Sequence, residues 1–275
     1  MALKLMYITN RPEIAQIAEA AGVDRIFIDL EYIDKADRQG GMDTVQSHHT
    51  LDDVKKVSQA ITSAELLVRV NPIHDATEMY TSSEEEIGTA IDNGADIVML
   101  PFFKTVTEVN RFLSAVRGRA KTMLLLETPE AVDIVDDLLC LEGIDSIHIG
   151  LNDLSLGYGK KFMFELLADG TVERLCIKFR EKNIPYGFGG IASLGKGAVP
   201  AEMIIKEHYR LGSTCAILSR SFCNVDKISH MGIISSTFVN GIREIREFET
   251  ECEKHIVYFT QNKLELENAI KTIVV

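Results

Sequence analysis

Cysteine is scarce and unpatterned in these 275 residues: Cys140, Cys176, Cys215, Cys223 and Cys252 are scattered, odd in number and form no Cys-x-x-Cys pair. That spacing argues against a zinc site or a disulfide framework and favours reduced thiols in a reducing compartment. Long apolar runs are missing too. Those present, such as Thr122–Leu126, fall far short of a membrane span. The opening MALKLMYITNRPE lacks a long apolar stretch and a cleavage site, so no signal peptide is expected and the cytoplasm is the expected location. Positive charge is in deficit, with a net charge of -12. Such a chain repels phosphate backbones and anionic lipid, so neither nucleic acid nor membrane is an expected partner. No linker and no low-complexity segment interrupts the sequence.

What is present is a regular alternation. Short apolar runs at Leu3–Thr9, Arg25–Leu30, Glu65–Val70, Ile97–Leu100, Thr122–Leu126, Ser146–Ile149, Tyr186–Gly190 and Thr214–Leu218 alternate with longer stretches of helical pattern. Near-continuous hydrophobicity (IFID, LLVRV, IVML, MLLLE, IHIG) suits parallel strands covered on both faces. Eight such runs imply a closed barrel or a doubly wound sheet. The chain length and the spacing of roughly 25–40 residues per unit favour an α/β architecture of the (β/α)8 TIM-barrel type. The expected organisation is one barrel domain over residues 1–275, with 229–275 as a C-terminal helical extension. A chain of this length buries roughly three quarters of its unfolded surface and needs no covalent staple.

Helix signals fall where that reading needs them. Pro12 sits in the first turn of a run that ends at Gly22, Ser82 precedes three glutamates, and Thr128-Pro129-Glu130 follows a strand directly. From Ser229 to His255 the pattern predicts one long helix, with Phe238, Ile242, Ile245 and Phe248 available to cover the barrel or another subunit. Two connections exceed the minimum, residues 31–50 and 152–162, and long loops after barrel strands usually carry function.

Residues ending the strands would face the catalytic end of such a barrel: Asp29 and Glu31, Arg69 and Asn71, Glu127 and Thr128, Asn152 and Asp153, Gly189 and Gly190, Ser219 and Arg220. Charges set directly after apolar strands must be paired or bind something, because lone buried charges are costly. Glu127 and Asp153 follow neighbouring strands, and two hard oxygen donors suit Mg2+ or Mn2+ better than zinc. Both also precede helices, so capping is the alternative role. No lysine replaces an inward strand residue (Lys104, Lys121, Lys160 and Lys161 lie outside such positions), which disfavours a Schiff-base mechanism.

The stretches AGVDRIFIDLEY, LLVRVN, GADIVMLPFFKTVTEV, LLLETPEAV and GIDSIHIGLNDLSLGYG together resemble the HpcH/HpaI aldolase and citrate lyase β-subunit family, in register over about residues 21–159 and more weakly through GFGGIA and ILSRSF. The resemblance implies a metal-dependent barrel of the phosphoenolpyruvate/pyruvate-binding superfamily. It makes Glu127 and Asp153 the metal ligands and Arg69 the contact to the keto oxygen and carboxylate of a 2-oxo acid. An internal salt bridge from Arg69 to Asp29 or Glu127 is compatible with that role. Aldolases of the family often carry a His where this chain has Tyr32, so the acid/base role falls to Asp29 or to the adjacent His48 and His49, which could equally be a surface pair beside a helix cap at Thr50. Arg38 is a weaker candidate for a substrate carboxylate or hydroxyl. Asn152 and Arg220 are substrate-binding candidates, Arg220 for a distal carboxylate, and GFGG with SRSF could hold phosphate through backbone amides. Asn10 has no assigned role.

The expected activity is a class II-type aldolase, a carbon–carbon lyase that handles a 2-oxo acid and an aldehyde through a pyruvate enolate. The alternatives are an acyl-CoA thioester lyase or citrate-forming condensing enzyme on the same site, and a barrel that binds a metabolite without turnover. The resemblance also implies a homo-oligomer.

Overall fold

The computed structural model describes residues 2–33, 48–228, 230–254 and 257–274. Eight parallel strands close into a barrel in chain order: β1 (Lys4–Ile8), β2 (Arg25–Asp29), β3 (Glu65–Arg69), β4 (Ile97–Leu100), β5 (Lys121–Leu126), β6 (Ser146–Ile149), β7 (Tyr186–Ile191) and β8 (Cys215–Leu218). β8 returns to β1 with Met6 opposite Ile217, so no sheet edge is left open. Every expected strand forms, each within a residue of its predicted ends. The choice between barrel and open sheet is therefore settled in favour of the (β/α)8 barrel.

The helices wrapped outside are α1 (Pro12–Ala20), α2 (Leu51–Ser58), α3 (Ser83–Asp92), α4 (Val106–Val116), α5 (Pro129–Asp133), α6 (Val135–Leu138), α7 (Leu151–Gly157), α8 (Glu165–Ala168), α9 (Thr171–Glu181) and α10 (Ala201–Leu211). Their starts follow local chemistry. Thr50 and Thr105 build capping boxes with Asp53 and Glu108. Thr128 caps α5 ahead of Pro129. The barrel interior is filled by Met6, Phe27, Leu67, Met99, Met123 and Leu125 among others, while a larger apolar layer lies between sheet and helices.

A small motif recurs at the amino end. Gly22-Val23-Asp24, Gly94-Ala95-Asp96 and Gly143-Ile144-Asp145 each lead into a strand, with the glycine at φ 98°, 108° and 90°. In that left-handed turn a side chain would be strained. Each aspartate then accepts the amide of the strand one place back: Asp24 from Leu5 (2.9 Å), Asp96 from Leu66 (2.7 Å) and Asp145 from Thr122 (2.7 Å). These carboxylates stitch β1 to β2, β3 to β4 and β5 to β6, which fixes strand register at the end opposite the site.

The C-terminal extension differs from its expectation in one respect. A long helix, α11 (Met231–Lys254), is present, and a second one, α12 (Tyr258–Val274), follows it. Phe238 of α11 meets Tyr7 edge-on at 4.8 Å and Phe222 at 5.6 Å between ring centroids. Phe238, Ile242 and Ile245 are buried in this chain's own core, so the apolar face expected to cover either the barrel or another subunit covers the barrel. α12 docks through buried polar groups: Asn262 donates to Glu207 (3.0 Å), and Arg210 bridges Glu207 and Glu173. Among the described residues no helix is long and apolar enough to cross a membrane.

Candidate active site

A cavity of about 600 Å³ opens at the carboxyl ends of the strands. Asp29, His48, His49, Arg69, Glu127, Asn152, Asp153 and Arg220 all line it. These eight candidates thus meet at one place, while Glu31, Asn71 and Thr128, also read at the strand ends, do not line the cavity. Arg38 lies outside the described residues. Tyr32 is half-buried and does not line the cavity. Its amide donates to Asn71 Oδ1 (2.8 Å), as does that of Ile33 (3.0 Å). Buried Glu86 on α3 in turn accepts from Asn71 Nδ2 (2.8 Å), so the start of the loop after β2 hangs from a two-step polar brace. Asn10 lines the cavity and donates to Asp53 (3.2 Å), which ties the end of β1 to α2.

Arg69 ends β3 and is held by a fork: Nε and one terminal nitrogen each donate at 2.8 Å to the two oxygens of Asp29, which ends β2 in register with it. The other terminal nitrogen lies 3.3 Å from Glu31. Burial alone would lower its pKa, but Asp29 and Glu31, with Glu127 behind them, hold it above its ordinary value. The guanidinium is therefore a permanent cation of fixed orientation. Phe27 lies under it, with the ring centre 5.6 Å away.

Glu127 follows β5 and is buried. Its Oε1 accepts the amide of Phe102 (3.1 Å), a residue with the left-handed φ of 49°. Outside glycine such a conformation costs about 1–3 kcal/mol, a strain that recurs where a backbone group is aimed at a site. Its other oxygen lies over Gly150, where a Cβ would fall 2.6 Å from it. Asp153 is buried in the first turn of α7, and Asn152 Nδ2 lies 3.2 Å from its Oδ1. Neither acid serves as a helix cap. Thr128 caps α5, and the residue at the α7 cap is Gly150.

Two carboxylates from adjacent strand ends, one seated in a cradle that only glycine leaves open, form a hard oxygen donor pair. No cluster of three or more His, Cys, Asp or Glu with metal-holding geometry occurs among the described residues. A divalent ion held here would take these two carboxylates as its protein ligands and leave its remaining positions to substrate and water, as Mg2+ commonly does.

His148 is a cavity residue that sequence reasoning overlooked. It faces inward from β6, donates Nε2–H to the carbonyl of Gly189 (3.2 Å) and lies 3.9 Å from Cys215 Sγ through Nδ1. Burial, opposed by that hydrogen bond and helped by Arg25 and Arg69, lowers its pKa to about 4. It is a neutral ring that holds β7 where the register shifts between Gly187 and Gly190. The signal was available: in Ser146–Ile149 the alternate positions Ser146 and His148 fall on one face, and that face carries the polar groups. No lysine lines the cavity among the described residues, and Lys104, Lys121 and Lys160 pair with Glu130, Glu65 and Asp169.

The model of the HpcH/HpaI aldolase/citrate lyase family matches residues 4–165. No curated protein is significantly similar to the chain in sequence. Among solved structures, an HpcH/HpaI aldolase from Desulfitobacterium hafniense DCB-2 superposes with a TM-score of 0.61 at 15% identity, covering 89% of this chain and 93% of that one. An HpcH/HpaI aldolase/citrate lyase family protein from Burkholderia cenocepacia J2315 gives 0.58 at 14% identity, with 89% and 95% covered. Macrophomate synthase gives 0.55 at 15% identity, with 79% and 77% covered. At these identities the structural likeness speaks for the fold.

Proposed function

Because the chain belongs to the HpcH/HpaI aldolase/citrate lyase family, whose type of activity is that of a lyase, we propose that it is a divalent-metal-dependent aldolase of class II type acting on a 2-oxo acid. The observation that carries this reading is the meeting of Arg69, Glu127 and Asp153, from three different strand ends, in one cavity. Glu127 and Asp153 would hold Mg2+ or Mn2+. When bound, that ion supplies positive charge and a template for the carboxylate and keto oxygen of the 2-oxo acid.

The chain's own groups do the rest. Arg69, locked by the Asp29 fork, presents a fixed positive charge to the oxygen on which enolate charge builds, and needs no reorganisation as it does so. Asp29 keeps that guanidinium in place, and Asn152 and Arg220 contact the remainder of the substrate. Phe27, Met99 and Leu125 on the cavity floor exclude water and strengthen these interactions. Proton movement falls within the adjacent pair His48–His49, imidazole being a side chain suited to general acid–base work.

The test is exchange of the methyl protons of pyruvate in D2O, followed by NMR with Mg2+ or Mn2+ present. Exchange that needs the metal and is lost in Glu127→Ala is the expected result. Absence of exchange with either metal would defeat the proposal.

A further inference from the structure

Two adjacent histidines reach the cavity, and the geometry separates their roles. β1 has ended at Ile8, paired with Phe27 of β2, and the amide of Leu30 turns to Arg69 O on the other side. At the end of this ladder the amide of Asp29 donates to His49 Nδ1 at 3.0 Å instead. A backbone N–H can only donate, so His49 Nδ1 must accept, and it can do so only with its lone pair free. The ring is therefore neutral and carries its proton on Nε2. We infer that His49 is a positioning residue, a fixed Nε2–H imidazole that completes the end of β2, while His48 is the ring of the pair that carries protons.

The consequence runs through named groups. His49 is buried while its neighbour His48 is exposed at the cavity mouth. Among the described residues, the charged groups near His49 are Asp53 on α2, Asp29, whose amide it accepts, and, through the Asp29 carboxylate, Arg69 on β3. By holding the Asp29 backbone, His49 sets the carboxylate that grips Arg69 in its fork. For His49 to accept a proton at Nδ1 it must release the Asp29 amide, a buried donor that would then be unsatisfied at a cost of about 1–3 kcal/mol. His48 has no such bond to the end of β2 to give up. The division of labour rests on the proposed proton chemistry, but the tautomer does not.

The experiment uses the full-length protein labelled with 15N-histidine. Two-bond 1H–15N correlations of the imidazoles are recorded across the neutral range, and His49→Asn identifies the His49 signals. The expected pattern is a neutral Nε2–H ring for His49 that does not change between about pH 6 and 8. A ring protonated on Nδ1, or one that becomes imidazolium in that range, overturns the inference. Pyruvate exchange then tests the division of roles. His48→Gln is expected to lose about 10²–10⁴-fold. His49→Asn, whose amide oxygen can replace Nδ1 as acceptor, should stay within about tenfold of wild type, and His49→Leu should lose more than His49→Asn. The reverse ranking overturns the inference. If wild type shows no exchange at all, the aldolase proposal fails while the tautomer measurement still decides the state of His49.

Discussion

Both ends of the barrel carry buried or half-buried charge, but they use it differently. At the amino end cations and anions are matched and tied to backbone. Arg246 bonds Asp24, Glu249 and Leu3 O, Glu249 accepts the amide of Leu3, and Arg25 with Lys121 shares Glu65. At the carboxyl end Arg69 sits among the buried carboxylates Asp29, Glu31 and Glu127, and it shares an open cavity with buried Asp153 and with Arg11 and Arg220. Matched charge closes a structure. Charge gathered at an open cavity leaves room for a bound ion or substrate to join the pairing.

Substituting one arginine at each end should break the comparison most visibly. Arg69→Met leaves Asp29 and Glu31 facing each other without their shared cation, and a loss of about 3–5 kcal/mol is expected, together with pyruvate exchange. Arg246→Met should lower stability by about 2 kcal/mol and leave the exchange rate per folded molecule at the wild-type level. Urea melts combined with exchange assays check both. Equal effects on exchange would remove the distinction between the two ends.

A smaller effect is expected from Gly150→Ala. The new methyl falls where Glu127 now sits, with Oε2 at 2.6 Å and its Cβ at 2.7 Å. Displacing the carboxylate should weaken Mn2+ binding by about 10–100-fold, the usual cost of disturbing a ligand's support, read by calorimetric titration. Unchanged affinity would show that the glycine cradle does not place the ligand.

A last effect, seen only on acidification and not in the comparison of the two ends, lies in the two buried neutral histidines His148 and His208. His148 and His208 are held to about 4 and about 3 by burial, which disfavours the charged ring. Both values lie below the 6.5 of an unfolded histidine. The unfolded chain therefore binds more protons, and stability must fall as pH drops from about 6.5 towards 4, by up to about 1.4 kcal/mol per pH unit per ring. Above that window neither contributes a slope. Urea midpoints against pH should show this decline, and His208→Asn should reduce it by about half.

The barrel could be read from the sequence because parallel strands covered on both faces are continuous apolar runs, and because a charge placed directly after such a run has few reasons to be there. Asp29, Arg69 and Glu127 announced themselves in that way. His148 did not, since a single polar residue inside a short apolar strand is lost when the run is read as a block. Nor did the anchors of the extension. Glu249 meets Leu3 across 246 positions and Asn262 meets Glu207 across 55, and pairings of that reach leave no local periodicity. The extension was expected as one long helix to residue 255. The second helix, over Tyr258–Val274, contains two buried polar-contact or core positions, Asn262 and Leu266, followed by Ile270, a stripe too thin to stand out. Tyr32, standing where the family often carries a histidine, gives no hint that His49, just ahead of the α2 cap, accepts the amide at the end of the same strand.

The central claim is that the carboxylates at the strand ends exist to hold a divalent cation. Titrating metal-free protein with Mn2+ while following the free-ion EPR signal tests it most directly, in wild type and in Glu127→Gln with Asp153→Asn. The account predicts one tight site per chain in wild type and none in the double variant, with both proteins folded. Equal binding by the two, or no binding by wild type, would contradict it.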